Sequence, residues 1–274
     1  MTDKFTNTRW LREDQYADST NLQKRISLHA GFSTNPLGLH PWIFSQLKAP
    51  PKAAILELGC GPGTLWLENL PDISPDWMVT LSDFSRKMVN EARARLGKRQ
   101  KFSYTCLDAQ SIPFPSGYWD VVIANHMLYH VPEIDMALRE IVRVLRPNGK
   151  LYATTNGYVH LREIAEFVEV ASGRSSHQGV NVFGESIKNF SLESGKDELR
   201  KYFREVTVLR YEDSLRVTDA QAIIAFVQSS SVLQLSEEGL ECLSDLLETK
   251  ICEEGAISIT KDPGIFIATT PYGI

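Results

Sequence analysis

An apolar run, Ala53 to Leu58, breaks into three glycines at alternate positions: Gly59, Gly61 and Gly63 in the segment ILELGCGPGT. A buried strand that runs straight into such a loop, with an apolar helix start behind it at 65–70 (LWLENL), is the opening of a β–α unit. Glycines allow positive φ and let the backbone press close to a ligand. The loop alone leaves the ligand open between a dinucleotide and another cofactor. Position 64 is Thr64, where the dinucleotide fingerprint G-x-G-x-x-G needs its third glycine.

The unit repeats. Segments 77–83, 101–108, 118–125 and 150–156 read as further buried strands. Between them, 85–97 reads as a helix capped by Ser85 and stopped by Gly97. The segment PEIDMALREIVRVLRPNG carries an apolar stripe of Ile134, Leu138, Ile141, Val142 and Leu145, opened by Pro132 and closed by Pro147 and Gly149. Repeated strand–helix–strand units predict an α/β fold: a doubly wound, mostly parallel sheet with right-handed crossovers and helices on both faces. Past residue 157 the pattern changes. Residues 160–171 read as a helix, 172–191 as a polar lid segment, and 204–217 as one long strand. Two helices at about 218–230 and 235–253 follow, then a turn at Asp262-Pro263-Gly264 and a last strand. The expected division is a helical arm over 1–49, a cofactor-binding α/β core over 50–156, a lid or substrate insert over 157–203, and the rest of the core sheet with extra helices over 204–274.

Of the 274 residues, 43% are hydrophobic and 23% charged, enough to bury a sizeable core. The net charge of −5 argues against a nucleic acid partner, which rewards a basic surface. The one basic run, Arg93 to Lys101, falls where a helix should end and reads as a solvated terminus. Four cysteines without a C-x-x-C pair suit reduced thiols, and no stretch approaches 18 apolar residues. The expectation is a cytoplasmic chain with no membrane span and no metal site, monomeric or homodimeric.

Ligands of an open parallel sheet bind beyond the carboxyl ends of the strands. There strand one delivers the glycines, strand two Asp83, strand three Asp108, and strand four Asn125 and His126. An acid after strand two can accept from both hydroxyls of a ribose, Phe84 offers an apolar face to a purine, and an acid after strand three can accept from an exocyclic amine. A nucleoside is the expected ligand. The absent third glycine and the added carboxylate at Asp108 count against a dinucleotide, as does the lack of a Tyr-x-x-x-Lys pair; no Walker A sequence is present.

Together LELGCGPGT, LSDFS, CLDAQSIPFP and LRPNGKLYATT resemble the class I S-adenosylmethionine-dependent methyltransferases, most closely the small-molecule branch that includes the ubiquinone and menaquinone biosynthesis enzymes. The resemblance covers roughly 50–156 and implies a Rossmann-like sheet of seven strands. It implies that Glu57, Gly59, Cys60 and Gly61 lie along the methionine half of the cofactor, with Gly63 shaping the loop. Asp83 would hold the ribose, Phe84 and Met88 the adenosine, Asp108 the adenine amine and the Ala109 backbone the ring edge. Asn125 and His126 would lie beside the sulfonium, and Tyr16 on the N-terminal arm would approach it. His126 and His130 are the candidate bases, since imidazole titrates near neutrality; His160 and His177 read as surface residues. Asn125-His126-Met127-Leu128 stands where amino-directed nucleic acid and protein methyltransferases carry Asn/Asp-Pro-Pro-Tyr, which favours a small-molecule acceptor. The alternatives are an NAD(P)-dependent oxidoreductase on a related sheet and a non-catalytic cofactor-binding regulator.

Overall fold

The structure, a computed structural model, describes residues 20–97, 102–173, 187–230 and 233–272. Tyr16 and His177 lie outside them. The chain starts with helices α1 (Thr20–Phe32) and α2 (Leu39–Gln46). The alternating part follows: β1 (Ala54–Leu58), α3 (Thr64–Glu68), β2 (Met78–Asp83), α4 (Arg86–Leu96), β3 (Phe102–Cys106), β4 (Trp119–Asn125), α5 (Ile134–Val144) and β5 (Leu145–Asn156). After it come α6 (Arg162–Ala171), α7 (Gly195–Arg200), β6 (Phe203–Arg210), β7 (Ser214–Val217), α8 (Ala220–Ser229), α9 (Glu237–Glu254), β8 (Ile257–Thr260) and β9 (Pro263–Pro271).

Seven strands form one sheet in the order β3-β2-β1-β4-β5-β9-β6. All pairings from β3 to β5 are parallel, and β9 runs antiparallel between β5 and β6. Both faces of the centre are covered, which is why its strands read as unbroken apolar runs. Leu56, Leu58, Val122 and Ala124 point into one core, shared with Leu138 and Ile141 of α5. The alternate residues Ile55, Val121 and Ile123 point into another, shared with Trp66 of α3 and Ala92 and Leu96 of α4. Each fully buried Leu, Ile or Val side chain stabilises the fold by ~1.5–3 kcal/mol. Ser85 caps α4 by accepting from the Met88 N–H, and Gly97 ends it at φ 65°. The strand order turns back between β1 and β4, so the loops after these two strands open a crevice at the sheet's carboxyl edge.

A third core has no counterpart in the expected division. Leu28 of α1, Ile164 and Val168 of α6, Leu215 and Val217 of β7, Ile223 and Val227 of α8, Leu243 and Leu247 of α9, and Ile257 and Ile259 of β8 pack together. Helix α1 of the N-terminal arm, α6 of the insert and the extra helices thus share one cap, while α2 packs Ile43 and Phe44 against the main sheet; the cap's strands β7 and β8 form their own antiparallel pair.

Three local expectations are corrected. The long strand over 204–217 is two strands in two sheets. Asp213 breaks it, because its carboxylate accepts from Ser33 and from the Thr34 and Asn35 N–H groups and pairs with Lys261. The turn at 262–264 is not a turn: Pro263 and Gly264 lie inside β9, where a Cβ on Gly264 would stand 2.8 Å from the Leu209 carbonyl oxygen. The helix expected to run to Pro147 ends at Val144, and residues from Leu145 on join β5 through a shift in register. Among the described residues, no helix is long and apolar enough to cross a membrane.

Candidate active site

The crevice is a cavity of about 700 Å³ between the strand ends and the cap, within the size range of small-molecule sites. Glu57, Gly59, Cys60, Gly61, Asp83, Phe84, Met88, Asp108, Ala109, Asn125, His126 and His130 all line it. Gly63 does not. It caps α3 at φ 78° and faces Leu96, which a Cβ there would meet at 2.8 Å, so it serves helix packing rather than the ligand. Gly59 is the close-approach glycine: at φ 68°, a Cβ would lie 2.7 Å from the Cβ of Met127.

Asp83 ties the loop to the end of β2. Its Oδ2 accepts from the Gly61 N–H at 2.9 Å and its Oδ1 from the Ser85 N–H at 2.7 Å. A carboxylate oxygen has more than one acceptor position, so both can also accept from a ligand hydroxyl. Burial pushes the Asp83 carboxyl above its ordinary range, against the pull of these two backbone donors. Asp108 is more committed. Its oxygens accept from the Gln110 N–H at 2.9 Å and from the Gln110 amide at 3.1 Å, and Gln110 in turn accepts from the Glu133 N–H below α5.

Glu57 is 2% exposed and accepts from the Trp66 indole at 2.6 Å and from the Asn125 amide at 3.1 Å. Burial pushes its pKa up to about 7, despite those two donors. A cationic ligand in the cavity favours the ionised carboxyl, so its binding is expected to release a proton near pH 6.5 and to strengthen as pH rises through 7. Calorimetry of S-adenosylmethionine, whose sulfonium supplies the positive charge, in buffers of different ionisation enthalpy checks this; buffer-independent heats at pH 6.5 contradict it.

His126 follows β4 at φ 48°, its N–H donating to the Thr154 carbonyl and hydroxyl at 3.1 and 3.0 Å. Its Nε2 is shut from solvent without a partner, and burial drags its pKa down to about 4. A general base works best with a pKa near the operating pH. His126 is therefore suited to hydrogen bonding as a neutral ring more than to taking a proton. His130 ends the 3-10 turn Leu128–His130 and also lines the cavity.

Sequence reasoning missed three residues here. His29 on α1, His160 after β5 and Lys261 before β9 all line the cavity. His160 corrects the surface reading: it is 8% exposed, because the turn from Gly157 folds it back over the strand ends, where its Nδ1 accepts from the Asp262 N–H at 3.1 Å. The usable signal was its place four residues past the end of a strand. Burial holds His29 down at about 3 and His160 well below the ordinary imidazole value.

These groups set the pH response. An unfolded chain protonates its histidines near pH 6.5. The folded chain keeps His29 and His126 neutral to about 3 and about 4, so their stabilisation is complete above pH 6.5 and drains as pH falls toward 4. Glu57 and Asp83, both raised, act oppositely: their folded forms bind protons first, Glu57 below about pH 7. Three displaced imidazoles outweigh two carboxyls, so the free energy of unfolding is expected to fall between pH 6.5 and 4.5. Urea titrations across that range check it, and a rise in stability contradicts it.

Residues 56–153 match the family described as methyltransferase domain. It is 36% identical over 118 residues to malonyl-acyl-carrier protein O-methyltransferase of Legionella pneumophila, covering 43% of this chain and 41% of that protein. It is 35% identical over 106 residues to ubiquinone/menaquinone biosynthesis C-methyltransferase UbiE of Vibrio parahaemolyticus, covering 38% of this chain and 41% of that one. The matched part thus spans about two-fifths of these relatives' length. Phosphoethanolamine N-methyltransferase 2 of Haemonchus contortus, solved with S-adenosyl-L-methionine, superposes with a TM-score of 0.58 at 16% identity, over 99% of this chain and 61% of that one. At that identity the likeness shows the fold.

Proposed function

We propose that the protein is an S-adenosylmethionine-dependent methyltransferase acting on a small-molecule acceptor. The observation that carries this is the carboxylate-rich half of the cavity: Asp83 latched to Gly61, buried Glu57, and Asp108 in one crevice beneath positive-φ glycines. This donor set fits a nucleoside that carries a cationic amino acid tail. Asp83 would hold the ribose, Met88 and Phe84 the base, and Glu57 with Asn125 the charged tail; Asp108 would meet the adenine amine only by sharing its oxygens with Gln110. When bound, the cofactor supplies an electrophilic methyl group on sulfur.

The chain's own part is alignment and exclusion of water. Holding two reactants in line can contribute ~7–11 kcal/mol toward the barrier. We assign that role on the acceptor side to the cap rather than to residues 157–203 alone, since the cap's α1 contributes His29 to the cavity wall. The O- and C-directed relatives share the matched region, so it supports methyl transfer without choosing the atom. The test is incubation with methyl-labelled S-adenosylmethionine and a metabolite extract. A small molecule that gains label only with active protein is the expected result. Label fixed solely in nucleic acid or protein contradicts the acceptor class.

A further inference from the structure

Trp66 of α3 is fully buried and lies outside the cavity wall. Phe44 and Phe102 meet its ring edge-on, at 6.0 and 5.9 Å between centroids. From that packing its indole N–H donates to Glu57 Oε2 at 2.6 Å. The other carboxyl oxygen, Oε1, accepts from the Asn125 amide at 3.1 Å, and Asn125 Oδ1 accepts from the Thr154 hydroxyl at 3.3 Å. Thr154 Oγ1 in turn accepts from the His126 N–H at 3.0 Å. A line of polar groups thus crosses β1, β4 and β5, from a core tryptophan to Asn125 and His126 on the cavity wall. Resting on the methyltransferase reading above, we propose that Trp66 is a positioning residue for cofactor binding: it confines the titrating oxygen of Glu57 to Oε1, so that the Asn125 amide turns with the charge on Glu57.

The chemistry of the donors carries this. An indole N–H donates and never accepts. Oε2 therefore stays an acceptor in both charge states of Glu57, and a proton taken up by the carboxyl goes to Oε1. There it meets Asn125. An ionised Oε1 accepts from the Asn125 NH2, the arrangement the structure holds. A protonated Oε1 donates, so Asn125 must turn its oxygen toward Glu57 and its NH2 toward Thr154, whose hydroxyl oxygen accepts. Asn125 is half-buried and lines the cavity, so the free donor and free acceptor positions of that amide change places at the wall. Without the indole, Oε2 is free to take the proton and Asn125 keeps its orientation.

The groups around Glu57 leave its charge dependent on this bond. Burial pushes the carboxyl up, and Asp83 after β2 adds to the rise. Against them Trp66 pulls hardest toward the ionised form, then Asn125, then His40 of α2. His40 is itself paired with Glu68 of α3 at 3.1 Å. The Cys60 thiol in the glycine loop is held neutral by burial and brings no charge. A donor to the charged form favours that form, so removing the indole favours the protonated carboxyl. A cationic ligand draws Glu57 the other way, toward the ionised state in which Asn125 already stands.

The test uses the full-length protein, labelled with 15N at tryptophan and asparagine side chains, with S-adenosylmethionine as ligand, from about pH 6 to 8.5. In the free protein the Trp66 indole and Asn125 amide signals are expected to move together, with a midpoint near 7. Saturating S-adenosylmethionine is expected to lower that midpoint. Trp66→Phe keeps a ring in the core and removes the donor. It is expected to raise the midpoint of S-adenosylmethionine binding by about one pH unit, weakening binding roughly fivefold at pH 7 and less than twofold at pH 8.5. Glu57→Gln retains His40 and Asp83 and is expected to abolish the pH dependence. An equal loss at both pH values in Trp66→Phe marks a purely structural tryptophan and overturns the proposal. So do wild-type indole and amide signals that stay fixed or move with different midpoints, a readout that stands should the variant misfold. Failure of S-adenosylmethionine to bind at any pH overturns the methyltransferase reading, while the two signals in the free protein still decide the role of Trp66.

Discussion

Asp213→Ala is expected to lower the free energy of unfolding by ~3–5 kcal/mol, the range for removing one partner of a buried ion pair. The Asp213 and Lys261 side chains are 0% and 4% exposed, so the variant leaves an ammonium in the interior with no counter-charge. It also strips the acceptor from the Ser33 hydroxyl at 2.7 Å, the Thr34 N–H at 3.1 Å and the Asn35 N–H at 3.0 Å. Those bonds tie the α1–α2 loop to the break between β6 and β7. Burial pushes the Asp213 carboxyl up, but Lys261, Ser33 and Asn35 outweigh it and hold it below its ordinary value. Its stabilisation is thus present above the ordinary carboxylate pKa and lost only at strongly acid pH. A double variant, Asp213→Leu with Lys261→Met, should recover much of the loss by removing both charges. Urea midpoints measure each; a loss below about 1 kcal/mol, the value of an exposed pair, contradicts the account.

Asp83→Ala is expected to weaken S-adenosylhomocysteine binding by ~100-fold or more while leaving the fold intact. A hydrogen bond to a charged group contributes ~1.5–3 kcal/mol, and two to a ribose exceed the ~2.7 kcal/mol that a hundredfold change requires. The variant also releases the Gly61 N–H, so the glycine loop loses its tie to β2. Unchanged circular dichroism and thermal midpoint separate lost binding from lost structure. Affinity within threefold of the wild type contradicts the assignment. Asp108→Ala should cost less, because Asp108 already holds Gln110.

Much of the sheet and of its ligand-facing edge is legible in the sequence. Ile55 to Leu58 and Val121 to Ala124 are buried on both faces, and that burial is what makes a parallel strand read as an apolar run. The acids that end two such runs, Asp83 and Asp108, could be placed together by the strand-end rule alone. The cap could not. Its core joins Leu28, Ile164, Leu215, Ile223 and Leu243, residues far apart in the chain. An amphipathic helix shows which face is buried, not what covers it. His160 and Lys261 were hidden for a related reason. His160 sits in the turn after β5 and Lys261 in the short link between β8 and β9, and only the pairing of β5 with β9 brings the two segments to the cavity. The orphaned nitrogen of His126 is a property of packing, invisible in the order of residues.

The cavity beneath Gly59 and Gly61 is expected to take S-adenosylmethionine and not a dinucleotide. Calorimetric titration of the wild-type protein with S-adenosylhomocysteine and, separately, with NADH and NADPH tests it most directly. Saturable one-to-one binding of S-adenosylhomocysteine, with no heat from either dinucleotide, is the predicted result. Saturable dinucleotide binding, with S-adenosylhomocysteine failing to compete, would contradict it.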